Sequence, residues 1–289
     1  MAAALKNVVV TGDTGFVGGH LAARLRRDGV TVAGVSASRG GDVASAELPL
    51  AGVDHVFHLA GRTYVPDAWK DPAGFYQINA MGTVRVLEQC RQHDVPLTYV
   101  SAYVYGRPER LPINETAPVN PNNPYAFSKY AGEEACRFYA ATFATKVSIL
   151  RLFNVYGPGQ RADFLIPTIA RQALDREIAQ IEVMDLAPRR DYVHVDDVMD
   201  ALLASPTLPS GEAFNVGSGV SHSVEDVIVA CLKAAGTSKP YRARNEPRPN
   251  EIADVVADIS ALRNAAGWQP RVSFADGMAS VVAEARNAR

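Results

Sequence analysis

The sequence predicts an α/β fold, a doubly wound parallel sheet followed by a smaller C-terminal domain. Three observations predict it. Short β-rich runs alternate with amphipathic helical stretches through the first half, which calls for parallel pairing through right-handed crossovers. A glycine-rich turn joins the first run to the first helix. After 157–159 the alternation gives way to isolated helices between proline- and glycine-rich loops. The expected boundaries are 1–154 for the sheet domain, with a return segment near 191–217, and 155–190 plus 218–289 for the smaller domain.

Residues 7–10 read as the first strand and 15–28 as the first helix, in which Phe16, Leu21 and Leu25 recur on one side. Strands follow over 30–35 and 53–59, the latter ending in the small-residue turn Ala60-Gly61. A helix over 78–93, a strand over 97–101, a helix over 126–142 and a strand over 147–152 complete the sheet domain. Beyond it, helices are expected over 165–174, 196–204 and 224–234. The segment 239–250, with three prolines and three arginines, reads as an irregular surface loop able to face an anionic ligand.

With 289 residues, 47% hydrophobic and 21% charged, the chain can bury a large core and is neither a disordered chain nor a coiled coil. Twenty-nine basic against 31 acidic side chains leave a net charge of -2, without the basic excess that nucleic-acid binding needs for counterion release. Cys90, Cys136 and Cys231 are odd in number and far apart, and read as buried thiols of a reducing compartment, the cytoplasm. The N-terminus has no basic segment leading an apolar one, and no apolar run approaches the ~18 residues of a membrane span, so no membrane association is expected.

The first turn, TGDTGFVG over 11–18, carries glycines at intervals of three. Gly12 suits the tight turn, Gly15 lets the backbone approach a pyrophosphate, and Gly18 permits close helix packing, with the amides of the helix N-terminus facing the anion. Three glycines alone make an ordinary turn as easily; their place at the first strand-to-helix junction favours a dinucleotide site. An NAD-type site takes the ribose 2′-hydroxyl on an acid at the end of the second strand. Here that strand runs into Gly34-Val35-Ser36-Ala37-Ser38-Arg39, with no acid. Hydroxyls and an arginine could instead hold a 2′-phosphate, which favours NADP(H), with NAD(H) possible. The bland alternative makes Arg39 a solvated loop charge.

Tyr125 and Lys129 lie four residues apart on the helix that follows Pro124, on one face. A free phenol titrates near ~10. A neighbouring ammonium favours the phenolate and so makes the phenol a usable acid or base. Ser101 ends the preceding strand, on the edge of the sheet where such folds bind ligands. The three together describe hydride chemistry at a carbon–oxygen bond.

On these residues the chain resembles the extended short-chain dehydrogenase/reductases that act on nucleotide sugars. The likeness runs nearly end to end through TGDTGFVG, HLAG (58–61), NAMGT (79–83), SAYVYG (101–106), YAFSK (125–129), LRLFNVYGPGQ (150–160), RRDYVHVDD (189–197), FNVGSG (214–219) and GWQP (267–270). The resemblance implies a Rossmann-type sheet domain and a C-terminal substrate-binding domain. It makes Tyr125 the catalytic acid/base, has Lys129 bind the nicotinamide ribose, and puts Ser101 on the reacting sugar oxygen. It assigns the cofactor to Gly12, Thr14, Gly15, Phe16, Val17, Gly18, Ser36, Arg39, Leu59, Ala60, Gly61 and Asn79, besides Tyr125 and Lys129. Substrate contacts fall to Ser101, Tyr103, Asn154 and Arg161, with Arg190 and Arg248 clamping the diphosphate of a nucleoside-diphosphate sugar. It also suggests homodimers packed through the helices containing 79–93 and 125–142. His55 and His58 read as packing residues and Asp196 and Asp197 as helix caps, so no metal is called for.

The sugar 4,6-dehydratases of this family carry an Asp-Glu pair where this sequence has Ala102 and Tyr103, which argues against dehydration. Two reactions remain, reduction of a 4-keto sugar by NADPH and 4-epimerisation on a retained NAD. The missing second-strand acid, the short first half and the segments 157–172, 184–192 and 248–270 resemble GDP-4-keto-6-deoxymannose reductases. SAYVYG and RRDYVHVDD read closer to UDP-hexose 4-epimerases. Reduction is the favoured expectation. A catalytically silent binding protein on the same scaffold is disfavoured by the intact Ser101, Tyr125 and Lys129.

Overall fold

Three consecutive buried valines, Val8, Val9 and Val10, make β1 (Asn7–Thr11) the kind of strand that needs cover on both faces. The computed structural model, which describes residues 5–246 and 251–288, supplies that cover. α1 (Phe16–Arg27) follows β1, and β2 (Thr31–Val35) pairs on one side of it. β3 (His55–His58) pairs on the other side. After α2 (Val65–Lys70), α3 (Pro72–Phe75), a π-helical turn over Tyr76–Met81 and α4 (Gly82–His93), the sheet grows through β4 (Leu97–Ala102). Then come α5 (Pro124–Phe143) and β5 (Val147–Leu152).

β6 (Asn154–Tyr156), α6 (Leu165–Leu174), β7 (Ile181–Val183), β8 (Arg189–His194) and α7 (Val195–Ala204) come next. β9 (Ala213–Val216) returns to the main sheet as its sixth strand, giving the order β2-β1-β3-β4-β5-β9 with every pairing parallel. The order reverses between β1 and β3, so their carboxyl ends border the crevice in which open α/β sheets take ligands. One apolar layer joins α1 and α7 to the sheet through Leu21, Leu25, Val198 and Leu202; another joins α4 and α5 to its other face through Val86, Leu87 and Cys136.

β10 (Ser221–Ser223), α8 (Val224–Ala235), β11 (Tyr241–Ala243), α9 (Ser260–Ala266) and α10 (Phe274–Asn287) follow. Of these, α9 packs on the main sheet, with Leu262 in the layer of α1 and α7. A separate apolar core packs Ile166 and Ile169 of α6, Val227 and Ile228 of α8 and Met278 and Val281 of α10 beside the three-stranded sheet of order β10-β8-β6. α8 begins with a reciprocal Ser223/Asp226 capping box and ends on Gly236 at φ +69°, a stop that needs no Cβ.

Two sequence expectations are corrected. Within 239–250, Tyr241–Ala243 is not irregular but pairs in parallel with β7, because Tyr241 has an apolar cluster beneath it; Arg242 and Arg244 both pair with Glu182. The aspartates at the start of α7 are not its caps. The His194 ring accepts from the Asp196 amide, while Asp197 accepts from the amides of Arg271 and Val272 and so ties down the chain after GWQP. No helix among the described residues is long and apolar enough to cross a membrane.

Candidate active site

The first turn is built so closely against its neighbours that side chains are excluded. Gly12 holds φ +76°, and a Cβ there would lie 2.8 Å from the Ala60 nitrogen; one on Gly18 would lie 2.2 Å from the Gly12 carbonyl oxygen. Gly15 is the N-cap of α1 and no side chain among the described residues caps that helix, which leaves amides of its first turn, Phe16 and Val17 among them, open to an anion. Leu59, Ala60 and Gly61 form the opposite bank. Thr11 binds it through its carbonyl, to the Leu59 amide at 3.2 Å, and through its hydroxyl, to the Ala60 amide at 3.1 Å. This cradle fits a dinucleotide pyrophosphate. At the end of β2, Thr14, Ser38 and Ser36 join in a hydroxyl chain with links of 2.9 and 3.3 Å. Arg39 donates to the Asp13 carboxylate at 2.8 Å.

Asn79 is fully buried in the π-helical turn. Its amide oxygen accepts from the Arg62 amide at 2.8 Å, and its amide nitrogen donates to the Arg62 carbonyl and to Ser128 Oγ, each at 2.9 Å. It thereby fastens the bank at 59–61 to the helix that carries Tyr125 and Lys129. His58 links Thr11 and Thr83 at 2.7 and 3.0 Å, and burial pulls its pKa down to about 3, so it is a neutral brace. His55 is likewise drawn down to about 3 and bonds Thr98 at 2.8 Å. No group of three His, Cys, Asp or Glu among the described residues could hold a metal ion.

α5 starts cleanly because Asn123 accepts from the Ala126 amide at 2.9 Å and Pro124 occupies the first turn. That start places Tyr125, Lys129 and Glu133 at helical spacing. The Tyr125 ring meets Phe75 edge-on at 6.4 Å, and its hydroxyl makes no hydrogen bond to the described residues. Burial pushes this phenol up to about 12. The expected lowering by Lys129 is not found, because the Lys129 ammonium lies over the Tyr99 ring, 4.3 Å from its centre. Burial pulls Lys129 itself down to about 8. Ser101, at the end of β4, donates to Glu133 Oε1 at 2.5 Å; Arg151 grips the same carboxylate at 2.7 to 3.1 Å.

On the substrate side, Asn154 opens β6 and donates to the Asp191 carbonyl at 3.4 Å. Tyr103 packs its ring between Tyr105 and Phe153 and donates its hydroxyl to the Gly106 carbonyl. Arg190 of β8 carries a charge that Tyr103 feels; its guanidinium is held by Glu251 and by the Ile252 carbonyl at 2.7 Å. Arg161 pairs with Asp163 at 2.6 Å and lies 5.1 Å from the ring of Tyr64, so it spans from the smaller domain to the sheet domain. Arg248 falls outside the described residues.

Sequence reasoning missed Asp13, Glu133 and Glu251, the carboxylates behind Arg39, Ser101 and Arg190. Asp13 sits inside the glycine motif and Glu133 continues the Tyr125, Lys129 spacing by four, so both had a signal. Glu251 had none, because its pairing with Arg190 spans 61 residues of chain.

Residues 8–217 match the sequence model of the NAD dependent epimerase/dehydratase family. The GDP-6-deoxy-D-mannose reductase of Pseudomonas aeruginosa is 32% identical across 96% of this chain and 97% of its own. The UDP-glucose 4-epimerase of Mycolicibacterium smegmatis is 33% identical across 96% and 98%. Among solved structures, RMD from Pseudomonas aeruginosa complexed with NADPH superposes with a TM-score of 0.91 at 31% identity, covering 98% of this chain and all of that one. The Thermus thermophilus UDP-glucose 4-epimerase in complex with NAD gives 0.86 at 30%, covering 98% and 100%.

Proposed function

The chain belongs to the NAD dependent epimerase/dehydratase family, and from that premise we propose that it reduces the C4 keto group of a nucleoside-diphosphate 4-keto-6-deoxy sugar, using NADPH. The observation that carries this choice is the end of β2, where the Thr14, Ser38 and Ser36 hydroxyls and the Arg39 guanidinium stand in place of a strand-borne acid. Such a set suits a 2′-phosphate.

A reduced nicotinamide dinucleotide held by the first turn and by Lys129 would supply the hydride. Tyr125 supplies the proton to the C4 oxygen: burial keeps its phenol protonated at neutral pH, and its hydroxyl has no competing partner among the described residues. Lys129, whose ammonium rests over the Tyr99 ring, would hold the nicotinamide ribose, and it favours the phenolate once it turns from that ring towards Tyr125. The proton of Ser101 is committed to Glu133, so its oxygen is left to accept from the new C4 hydroxyl. Arg190 and Arg248 take the diphosphate, and Arg161 and Tyr64 border the sugar nucleotide. Ala102 and Tyr103 offer no carboxylate to move a proton between carbons, and the Glu133 carboxylate is occupied by Arg151, which disfavours dehydration.

The second reading, 4-epimerisation on retained NAD, is favoured by the equal likeness to the Mycolicibacterium smegmatis epimerase. For the assembly we propose a homodimer in the cytoplasm. Exposed Met81, Phe127 and Phe138 stand on the helical face formed by the π-turn and α5, and a second copy of that face would cover them. Deuteride transfer tests the reaction. NADPH carrying deuterium at both hydrogens of the nicotinamide C4 should leave deuterium on C4 of the product sugar; product without label would reject reduction by this route.

A further inference from the structure

We propose that Asp13 sets the choice between NADP(H) and NAD(H) by competing with a 2′-phosphate for the Arg39 guanidinium. The proposal rests on the dinucleotide site argued above. β2 lacks a terminal acid, yet the structure brings a carboxylate to its end from the first turn. The Asp13 side chain is fully buried and lies against Gly34 of β2 in a niche that depends on that glycine. A Cβ on Gly34 would stand 2.0 Å from Asp13 Oδ2 and 2.9 Å from Oδ1. Oδ2 accepts from Arg39 Nη1 at 2.8 Å, whereas Oδ1 is buried with no hydrogen-bond partner among the described residues. Arg39 itself is 57% exposed and ends the short turn Ala37–Arg39, so it can leave Asp13 without disturbing the sheet.

These facts give the pair two states of opposite preference. A guanidinium already neutralised by a carboxylate attracts a phosphate less than a free one, and phosphate must take it from Asp13. The carboxylate thus exposed repels that phosphate at short range. A ribose 2′-hydroxyl has the reverse relation, because once Arg39 swings aside it can donate to the uncovered Asp13 carboxylate and brings no second negative charge. Asp13 therefore pulls towards NAD(H) and Arg39 towards NADP(H), and the parent protein's preference for NADPH is modest.

Fluorescence titration of NADPH and NADH against the parent, Asp13→Asn, Arg39→Gln and the double variant tests this without turnover. Asp13→Asn is expected to shift the ratio of the two Kd values towards NADPH by about tenfold or more, the size of one charge-assisted contact. Arg39→Gln, at an exposed position, is expected to shift it towards NADH, and the double variant to lose the gain that Asp13→Asn gives alone. A ratio unchanged in Asp13→Asn, or moved towards NADH, overturns the proposal. Should Asp13→Asn fail to fold, an unchanged ratio in Arg39→Gln overturns it equally. A parent that binds neither dinucleotide would instead remove the dinucleotide reading, and this proposal with it.

Discussion

Ser101 donates its hydroxyl proton to Glu133 across 2.5 Å, and the carboxylate that receives it is gripped from the other side by the fully buried Arg151. Arg151 in turn donates to the Tyr105 hydroxyl at 2.8 Å, and Tyr105 donates to Asn215 of β9 at 2.6 Å. The orientation of a candidate catalytic hydroxyl is thus fixed by a polar chain running across three strands of the main sheet.

Glu133→Gln should therefore affect both stability and chemistry. Leaving Arg151 buried without its counter-charge is expected to lower unfolding free energy by about 3–5 kcal/mol, measured by urea denaturation. The folded fraction should also turn over more slowly, because Ser101 loses its fixed acceptor. Lost stability with unchanged kcat per folded molecule would show that Glu133 is structural only.

Tyr125→Phe should keep dinucleotide affinity within a few fold and lower kcat by roughly 100-fold or more, the effect of removing a positioned acid. The hydroxyl has no hydrogen-bond partner among the described residues, so its loss should cost little stability. Near-normal turnover in this variant would falsify the assignment.

The pH profile follows from the two groups on α5. Tyr125 is pushed up to about 12 and keeps its proton through neutral and mildly alkaline pH. Lys129, drawn down to about 8 from its ordinary 10.5, is charged below that pH and loses its charge as pH rises through it. Turnover should accordingly fall on an alkaline limb near pH 8, and Lys129→Arg, if active, should remove that limb because a guanidinium stays charged. A rate that is level through pH 9 would contradict this.

His55 and His58 predict acid sensitivity of the fold. Each has its folded pKa depressed from 6.5 to about 3, so the unfolded chain binds more protons between those values. Stability is then fully present above pH 6.5 and declines as pH falls through that interval, by about 2 kcal/mol per histidine at pH 5. Urea midpoints at pH 7 and 5 should converge in His55→Gln relative to the parent; an equal acid loss in both would reject the assignment for His55.

The alternating strands and helices of the first half were legible because the buried runs had a period and several, β1, α1 and β3 among them, run into a glycine turn, whereas α4 and α5 stop at Asp94 and Ala144. β4 and β5 are buried along their whole length yet carry Thr98, Ser101, Ser148 and Arg151 among their apolar residues, and Pro124 marked the start of α5 as a first-turn proline should. β11 was not legible, since its three residues gain strand character only from pairing with β7 some 60 residues earlier in the chain, as Arg242 with Glu182 shows. The same holds for Asp191, whose carboxylate collects the amides of Ser218, Gly219 and Ala257 at 2.6 to 3.0 Å. Candidate catalytic residues announced themselves by spacing on one helix and one strand end. The acids that orient them came from elsewhere in space, and the mutual neutralisation of Asp13 and Arg39 was invisible until the turn and the end of β2 were seen in contact.

The most direct test of the proposed reaction is to follow reduced-nicotinamide absorbance with a GDP- or dTDP-linked 4-keto-6-deoxy sugar, and separately to supply UDP-glucose with no added cofactor. Reduction predicts that absorbance falls in proportion to sugar consumed, one NADPH for each C4 carbonyl, and that UDP-glucose stays unchanged. Sustained interconversion of UDP-glucose and UDP-galactose, with no net change in absorbance, would contradict reduction and assign the site to epimerisation.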